Sequence, residues 1–76
     1  MTFKAWLMLQ MKREDPVGDL ARDVLKDGTW PRTQDTVKLR QHMVKRSAIE
    51  SALLALDRAY SEYQKQSERL RAPDRG

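Results

Sequence analysis

The sequence predicts an all-α protein that folds as one compact four-helix bundle. Apolar residues recur at helical spacing in four segments, helix caps stand between those segments, and no segment alternates as a strand does. Seventy-six residues suffice for one domain, which we assign to residues 1–68, with residues 69–76 as a flexible tail. The chain has no cysteine, so this fold is expected to depend on its small core alone.

The first helix is predicted to run from the N-cap Thr2 to Glu14. Phe3, Trp6 and Leu7 follow the spacing of one apolar face. Apolar residues also occupy the opposite face, so we expect the fourth helix to cover it; an uncovered face would instead be a protein-binding or dimer surface. The residues on that second face are Ala5, Met8 and Leu9.

The second helix is predicted to begin at Asp15 and Pro16, where the aspartate caps free backbone amides and proline loses no hydrogen bond. Leu20 lies in its apolar stripe. Asp27-Gly28 is predicted to end the helix, with glycine in the left-handed conformation.

A loop with a tryptophan precedes the third helix. Because a tryptophan is costly to leave exposed, Trp30 is predicted to plug the core, and Pro31 stiffens the chain after it. The third helix is predicted from the Asp35 cap to Arg46. We interpret His42, at the edge of its apolar side, as a half-buried structural residue, since no nucleophile or paired acid accompanies it.

The fourth helix is predicted to open on a capping box formed by Ser47 and Glu50. Its apolar stripe should begin at Ile49 and include Ala52, Leu53 and Ala59. The strongest core candidates of the whole chain are Phe3, Trp6, Leu7, Leu20, Trp30, Leu39, Met43, Leu56, Tyr60 and Tyr63.

Four segments in this order resemble the YozE SAM-like family of small bacterial and phage proteins. They are Phe3-x-x-Trp6-Leu7, Asp15-Pro16-Val17-Gly18-Asp19-Leu20-Ala21, Asp27-Gly28-Thr29-Trp30-Pro31 and Ala55-Leu56-Asp57-Arg58-Ala59-Tyr60-Ser61-Glu62-Tyr63. The resemblance implies a SAM-like (YozE-type) arrangement of the four helices, and nucleic-acid binding has been suggested for the family. Nothing carries over to the residues after Tyr63, where the chain departs from the family's shorter ending.

Charge is unevenly distributed along the chain. Residues 14–27 carry five carboxylates against two basic side chains, a net charge of −3, whereas residues 32–46 carry five basic side chains against one carboxylate, a net charge of +4. The basic segment is the candidate contact surface for nucleic acid or another partner, and Arg40 would join it only if the helix were rotated. The candidate contact residues are Arg32, Lys38, Gln41, Lys45 and Arg46.

Two partner classes stay open. The basic third helix favours nucleic acid, held mainly through phosphates. The acidic second helix and the basic third could instead meet head-to-tail in self-association, or the chain could bind a foreign protein, as a phage-encoded protein acting on a host protein would. An ordinary solvated basic face is the alternative to both.

Other functions are not expected. The carboxylates at Asp15, Asp19, Asp23 and Asp27 spread along a helix face, so we interpret them as solvated, capping and paired residues rather than as a metal site. With no phosphate loop or nucleophile motif, we expect no enzyme, no cofactor and no small-molecule substrate. The chain lacks an apolar run of about 20 residues, so no membrane partner is expected and a cytoplasmic location is predicted.

Overall fold

The computed structural model describes residues 1–71, and within them four α-helices and no strand are present. The helices are α1 (Phe3–Met8), α2 (Pro16–Lys26), α3 (Thr36–Lys45) and α4 (Glu50–Arg71), which confirms the predicted all-α class. None of them combines the length and apolar character needed to cross a membrane. The predicted tail, residues 69–76, starts inside the last turns of α4 and lies outside the described residues from 72 onward.

Helix α4 is the centre of the bundle. Helices α1, α2 and α3 all pack on α4, and α1 also packs on α2, whereas α3 meets no helix but α4. Tyr60 and Tyr63 are half-buried, with ring centroids 5.1 and 5.5 Å from that of Phe3. The buried core consists of Phe3, Trp6, Leu7, Val17, Leu20, Ala21, Val24, Trp30, Leu39, Met43, Ala55, Leu56 and Ala59.

Helix α1 is shorter than the predicted span to Glu14. Thr2 is its N-cap as predicted, but the helix ends at Met8, and the chain continues in turns through Lys12. The helix closes with tighter turns, in which the amides of Leu9 and Gln10 bond to the carbonyls of Trp6 and Leu7. The chain then passes so close to α2 that a Cβ on Gly18 would stand 2.0 Å from the carbonyl oxygen of Arg13, so glycine at this position permits the connection.

The second apolar face of α1 is not covered by α4, contrary to expectation. Ala5 is exposed, and Leu9 is 68% exposed. The α1–α4 contact instead uses the first face, where Nε1 of Trp6 donates a 2.7 Å hydrogen bond to Oε1 of Gln66. Met8, the third residue of the second face, is half-buried and packs against the core, so only Ala5 and Leu9 of that face stay exposed.

Four charged side chains fasten the α1–α2 connection to α4. Arg13 lies 2.7 Å from Asp15 and 2.8 Å from Glu62, and Arg58 lies 3.1 Å from Glu62. The hydrogen bond from Arg13 lowers the pKa values of both carboxyl groups, and these carboxylates in turn raise the pKa of Arg13. Asp15 is also the N-cap of α2, as predicted, so one network fixes both the start of α2 and its position on α4.

Helix α2 ends at the predicted place but by a different device. Gly28 is not in the left-handed region, so the predicted glycine cap is wrong. Asp27 is the C-cap, and its Oδ1 accepts hydrogen bonds from the amide of Thr29 at 2.9 Å and from the hydroxyl of Thr29 at 2.6 Å. This local turn leads the chain directly into Trp30.

The turn between α3 and α4 contradicts the predicted capping box. Ser47 has a φ of 62° and is in the left-handed region. Its amide bonds to the carbonyl of Val44, and the amide of Ala48 bonds to the carbonyl of Met43, which is the Schellman motif that ends α3. Ser47 therefore closes α3 instead of opening α4, and Ile49, predicted for the α4 apolar stripe, is 70% exposed.

The left-handed Ser47 yields a prediction for stability. A side chain in this conformation costs about 1–2 kcal/mol. Glycine avoids this cost, but its unfolded chain has a greater conformational entropy, which offsets part of the gain in stability. We expect Ser47→Gly to raise the free energy of unfolding, measured by urea denaturation, by about 0.5–1 kcal/mol. Ser47→Ala keeps the strain and should bring no gain; a Ser47→Gly variant no more stable than Ser47→Ala would refute the prediction.

Candidate functional site

Helix α3 presents most of its circumference to solvent. Only Leu39 and Met43 are buried, and the cap at Asp35 is as predicted, with its carboxylate accepting from the amide of Val37 at 2.9 Å. Because α3 packs on α4 alone among the helices, the sides away from α4 are open to a partner. This helix carries three of the predicted contact residues.

The predicted basic contacts Lys38 and Lys45 lie on one side of α3. Both are exposed, and they stand one turn before and one turn after His42, which faces the loop that follows α2. Arg32 is exposed within that same loop, and Gln41 is exposed between the lysines. Among residues 1–71, neither lysine nor Arg32 forms an ion pair, so their charges are available to an anion.

Arg46, the remaining predicted contact, is engaged within the chain. Its Nε lies 3.4 Å from Oδ2 of Asp27, and its NH1 group lies 3.4 Å from the hydroxyl oxygen of Thr29. Its side chain is still 55% exposed. Arg46 thus serves to tie the end of α3 to the end of α2, and its charge is partly neutralised.

Asp27 is the centre of this tie. Nε2 of His42 lies 2.7 Å from Oδ2 of Asp27, and because an ionised carboxylate only accepts, this histidine nitrogen carries the proton. The His42 ring also meets Trp30 edge-on, with centroids 5.6 Å apart and planes at 89°. Contrary to the sequence analysis, a paired acid does accompany His42, fifteen positions away in the chain. His42 thus links α3 to the loop and to the end of α2, and Asp27 does more than end a helix.

The surroundings of Asp27 hold its pKa well below the usual range of a carboxyl group. The hydroxyl of Thr29 is the largest cause, followed by His42, the amide of Thr29 and the positive charge of Arg46. The Asp27 side chain is only 10% exposed, so these partners replace most of its water. The ionised form is the one that the folded chain stabilises.

Arg40 lies on the other side of α3 and pairs with Asp57 of α4. It therefore does not join the exposed basic residues Arg32, Lys38 and Lys45, unpaired within residues 1–71 (the basic strip), in agreement with the expected orientation of the helix. Around this pair lie three exposed apolar side chains that the sequence interpretation missed: Val37, Val44 and Leu54. The pattern that could have identified Val37 and Val44 is their spacing of seven residues, which places both on a side of α3 away from Leu39 and Met43.

A groove of about 740 Å³ separates α2 from α3 and the start of α4. Its lining includes Val24, Trp30 and Met43, while Asp19 and Asp23 stand along its α2 side. Of the two pairs expected from i, i+3 spacing, Asp19–Arg22 is confirmed, whereas Asp23–Lys26 is wrong, because Asp23 forms no ion pair within residues 1–71. Carboxylates along this side disfavour a phosphate backbone here, so the groove is not part of the basic strip.

No three His, Asp or Glu side chains of the described residues converge in a way that could hold a metal ion. In the comparison with known families, a model described as the YozE SAM-like fold matches residues 2–65. No curated protein and no solved structure gave a match.

The lowered pKa of Asp27 predicts how stability changes with pH. In the unfolded chain, the carboxyl group of an aspartate titrates at about pH 4. The stabilisation of the fold by ionised Asp27 is therefore fully present above about pH 4, and it is lost as the pH falls through the lower pKa that Asp27 has in the folded chain. We compare the wild type with Asp27→Asn, which retains an acceptor for Thr29 but no charge. The stability difference in urea denaturation should be largest near neutral pH and should narrow below about pH 4.

Asp15 and Glu62 also have lowered pKa values, so the wild type loses stability in acid for several reasons. The Asn variant shares those losses, and the difference between the two proteins isolates Asp27. A difference that stays constant from pH 7 to pH 2 would show that the charge of Asp27 does not stabilise the fold.

Proposed function

The chain belongs to the YozE SAM-like family, and from the exposed cations of α3 we propose that it is a non-enzymatic module that binds nucleic acid. The observation that carries the proposal is the contrast between two groups of basic residues. Arg13, Arg22, Arg40 and Arg58 are each paired with a carboxylate of the chain. Arg32, in the loop, and Lys38 and Lys45, on α3, are exposed and have no such partner among the described residues. These three residues form the basic strip.

The spacing of the basic strip suits a phosphate backbone. Lys38 and Lys45 are seven residues apart, so their backbone positions are separated by about 10 Å along the α3 axis. Arg32 extends the strip from the loop, and Gln41 adds an amide that can donate and accept. Lysines contact phosphates as point charges, so we propose binding with little sequence preference.

The double substitution Lys38→Ala/Lys45→Ala tests the proposal. Each lost phosphate contact should reduce the slope of log K against log salt by about 0.9 for duplex DNA, so the double variant should lose nearly two from this slope. Fluorescence polarisation of a labelled duplex and of a labelled single strand, from 50 to 200 mM salt, measures it. The affinity at the lowest salt should fall at least tenfold.

A matched control removes the same charge elsewhere. Lys4 and Lys12 are also exposed, and they lie in α1 and the turn after it; α1 packs on α2 and α4 and not on α3. Lys4→Ala/Lys12→Ala should change the affinity much less than the α3 double variant. Equal losses in the two variants would indicate nonspecific attraction to net charge, and no binding by the wild type at 50 mM salt would refute the proposal.

Protein–protein interaction is a second candidate function, and a separate observation favours it. Val37, Val44 and Leu54 are exposed around the Arg40–Asp57 pair, where apolar side chains gain by being covered. The predicted head-to-tail contact through the acidic segment of α2 is supported less, because three of its five carboxylates, Asp15, Asp19 and Asp27, already pair within the chain.

A further inference from the structure

The outer face of the α3–α4 pair carries apolar side chains that nothing in the described chain covers. Val37 is 61% exposed, Val44 is 57% exposed and Leu54 is 59% exposed. Covering apolar side chains on association is favourable because it removes their surface from water. We call these three residues, together with Arg40 and Asp57, the outer face.

The residues of the outer face are brought together by helix spacing and one ion pair. Val37 and Val44 lie three residues before and four residues after Arg40, so all three share one side of α3. Leu54 lies three residues before Asp57 on α4. Because Arg40 and Asp57 pair across the two helices, the three apolar side chains surround that pair.

The charges of the outer face identify its partner. It carries one guanidinium and one carboxylate, with side chains 41% and 52% exposed. A phosphate backbone would meet a carboxylate and apolar side chains here. A partner surface that carried charge of one sign only would repel either Arg40 or Asp57. A second copy turned by a two-fold rotation instead sets Arg40 of one copy near Asp57 of the other, and apolar residues against apolar residues.

We propose that two copies of this chain associate through their outer faces into a two-fold symmetric dimer. The proposal gives the protein-interaction candidate one partner, and it does not require nucleic-acid binding. The outer face consists of five residues, far fewer than the roughly 20–30 residues per partner of a standard stable interface. The dimer is therefore weak, with a dissociation constant on the order of 10⁻⁵–10⁻³ M.

The dimer leaves the basic strip accessible. Lys38 and Lys45 lie on the side of α3 that faces the loop, whereas Val37, Arg40 and Val44 lie on the side toward α4. The two copies would carry one basic strip each, on either side of the contact. Association and nucleic-acid binding are thus separable by mutation.

Sedimentation equilibrium from 10 µM to 1 mM tests the proposal with the full chain. We expect the wild type to show monomer–dimer equilibrium, and Val44→Gln/Leu54→Gln to raise the dissociation constant at least tenfold. The control is Leu9→Gln/Leu25→Gln, which removes two similarly exposed leucines elsewhere, 68% and 60% exposed, and should leave the constant unchanged. Leu9 lies on the uncovered face of α1, the other candidate dimer surface, so this control also tests that alternative. Circular dichroism verifies that each variant is folded.

A charge exchange tests the pairing within the dimer. Arg40→Glu alone opposes Asp57 in both copies and should weaken the dimer, whereas Arg40→Glu/Asp57→Arg should restore it. A wild type that stays monomeric up to 1 mM would overturn the proposal and leave a foreign protein as the occupant of this face. A dimer weakened by the Leu9/Leu25 control but not by Val44/Leu54 would overturn it as well.

Discussion

Trp30 occupies the position on which the placement of α3 depends. Helix α3 packs on α4 alone among the helices, so its second support comes from the loop that joins it to α2. Trp30 is buried in the common core and meets the ring of His42 edge-on, while Asp27 accepts from His42 and lies against Arg46. The buried Trp30 ring and the ionised Asp27 side chain together hold α3 in its position beside α4.

This placement divides α3 into sides with different chemistry. The inner side packs Leu39 and Met43 into the core. The loop side carries Lys38 and Lys45, whose charges no residue of the described chain neutralises, and the side toward α4 carries Val37 and Val44 around Arg40. Ion pairing therefore separates the basic residues into two groups. Arginines that hold the fold, such as Arg13 and Arg40, are paired, whereas Arg32, Lys38 and Lys45 are not, and the same holds for exposed lysines elsewhere among the described residues.

The sequence predicted well those features that depend on neighbouring residues. The caps Thr2, Asp15 and Asp35 lie where they were expected, because a cap needs only its own side chain and the next turn of backbone. The early end of α1 could not be predicted in this way. In the segment that replaces the rest of the predicted helix, Arg13 pairs with Glu62, forty-nine positions away, and no local pattern indicates such a contact.

The candidate site shows the same division. The exposure of Lys38 and Lys45 followed from helix periodicity, but the engagement of Arg46 by Asp27 did not, since it joins residues nineteen positions apart. Ser47 fits two local motifs, a capping box and a left-handed helix end, and only the packed turn selects between them. The exposure of Val37 and Val44 was not predicted, because the sequence analysis described the surface of α3 by its charges alone.

The free energy of unfolding of Trp30→Ala tests most directly whether this tryptophan holds α3 in place. Removing a large buried aromatic side chain costs about 3–5 kcal/mol, so urea denaturation should show a loss of that size, or the variant should be unfolded in water. Trp30→Phe, which retains an aromatic ring, should stay folded and lose less. A Trp30→Ala variant with nearly the stability of the wild type would contradict the central role of Trp30 and would make this residue a candidate for partner binding.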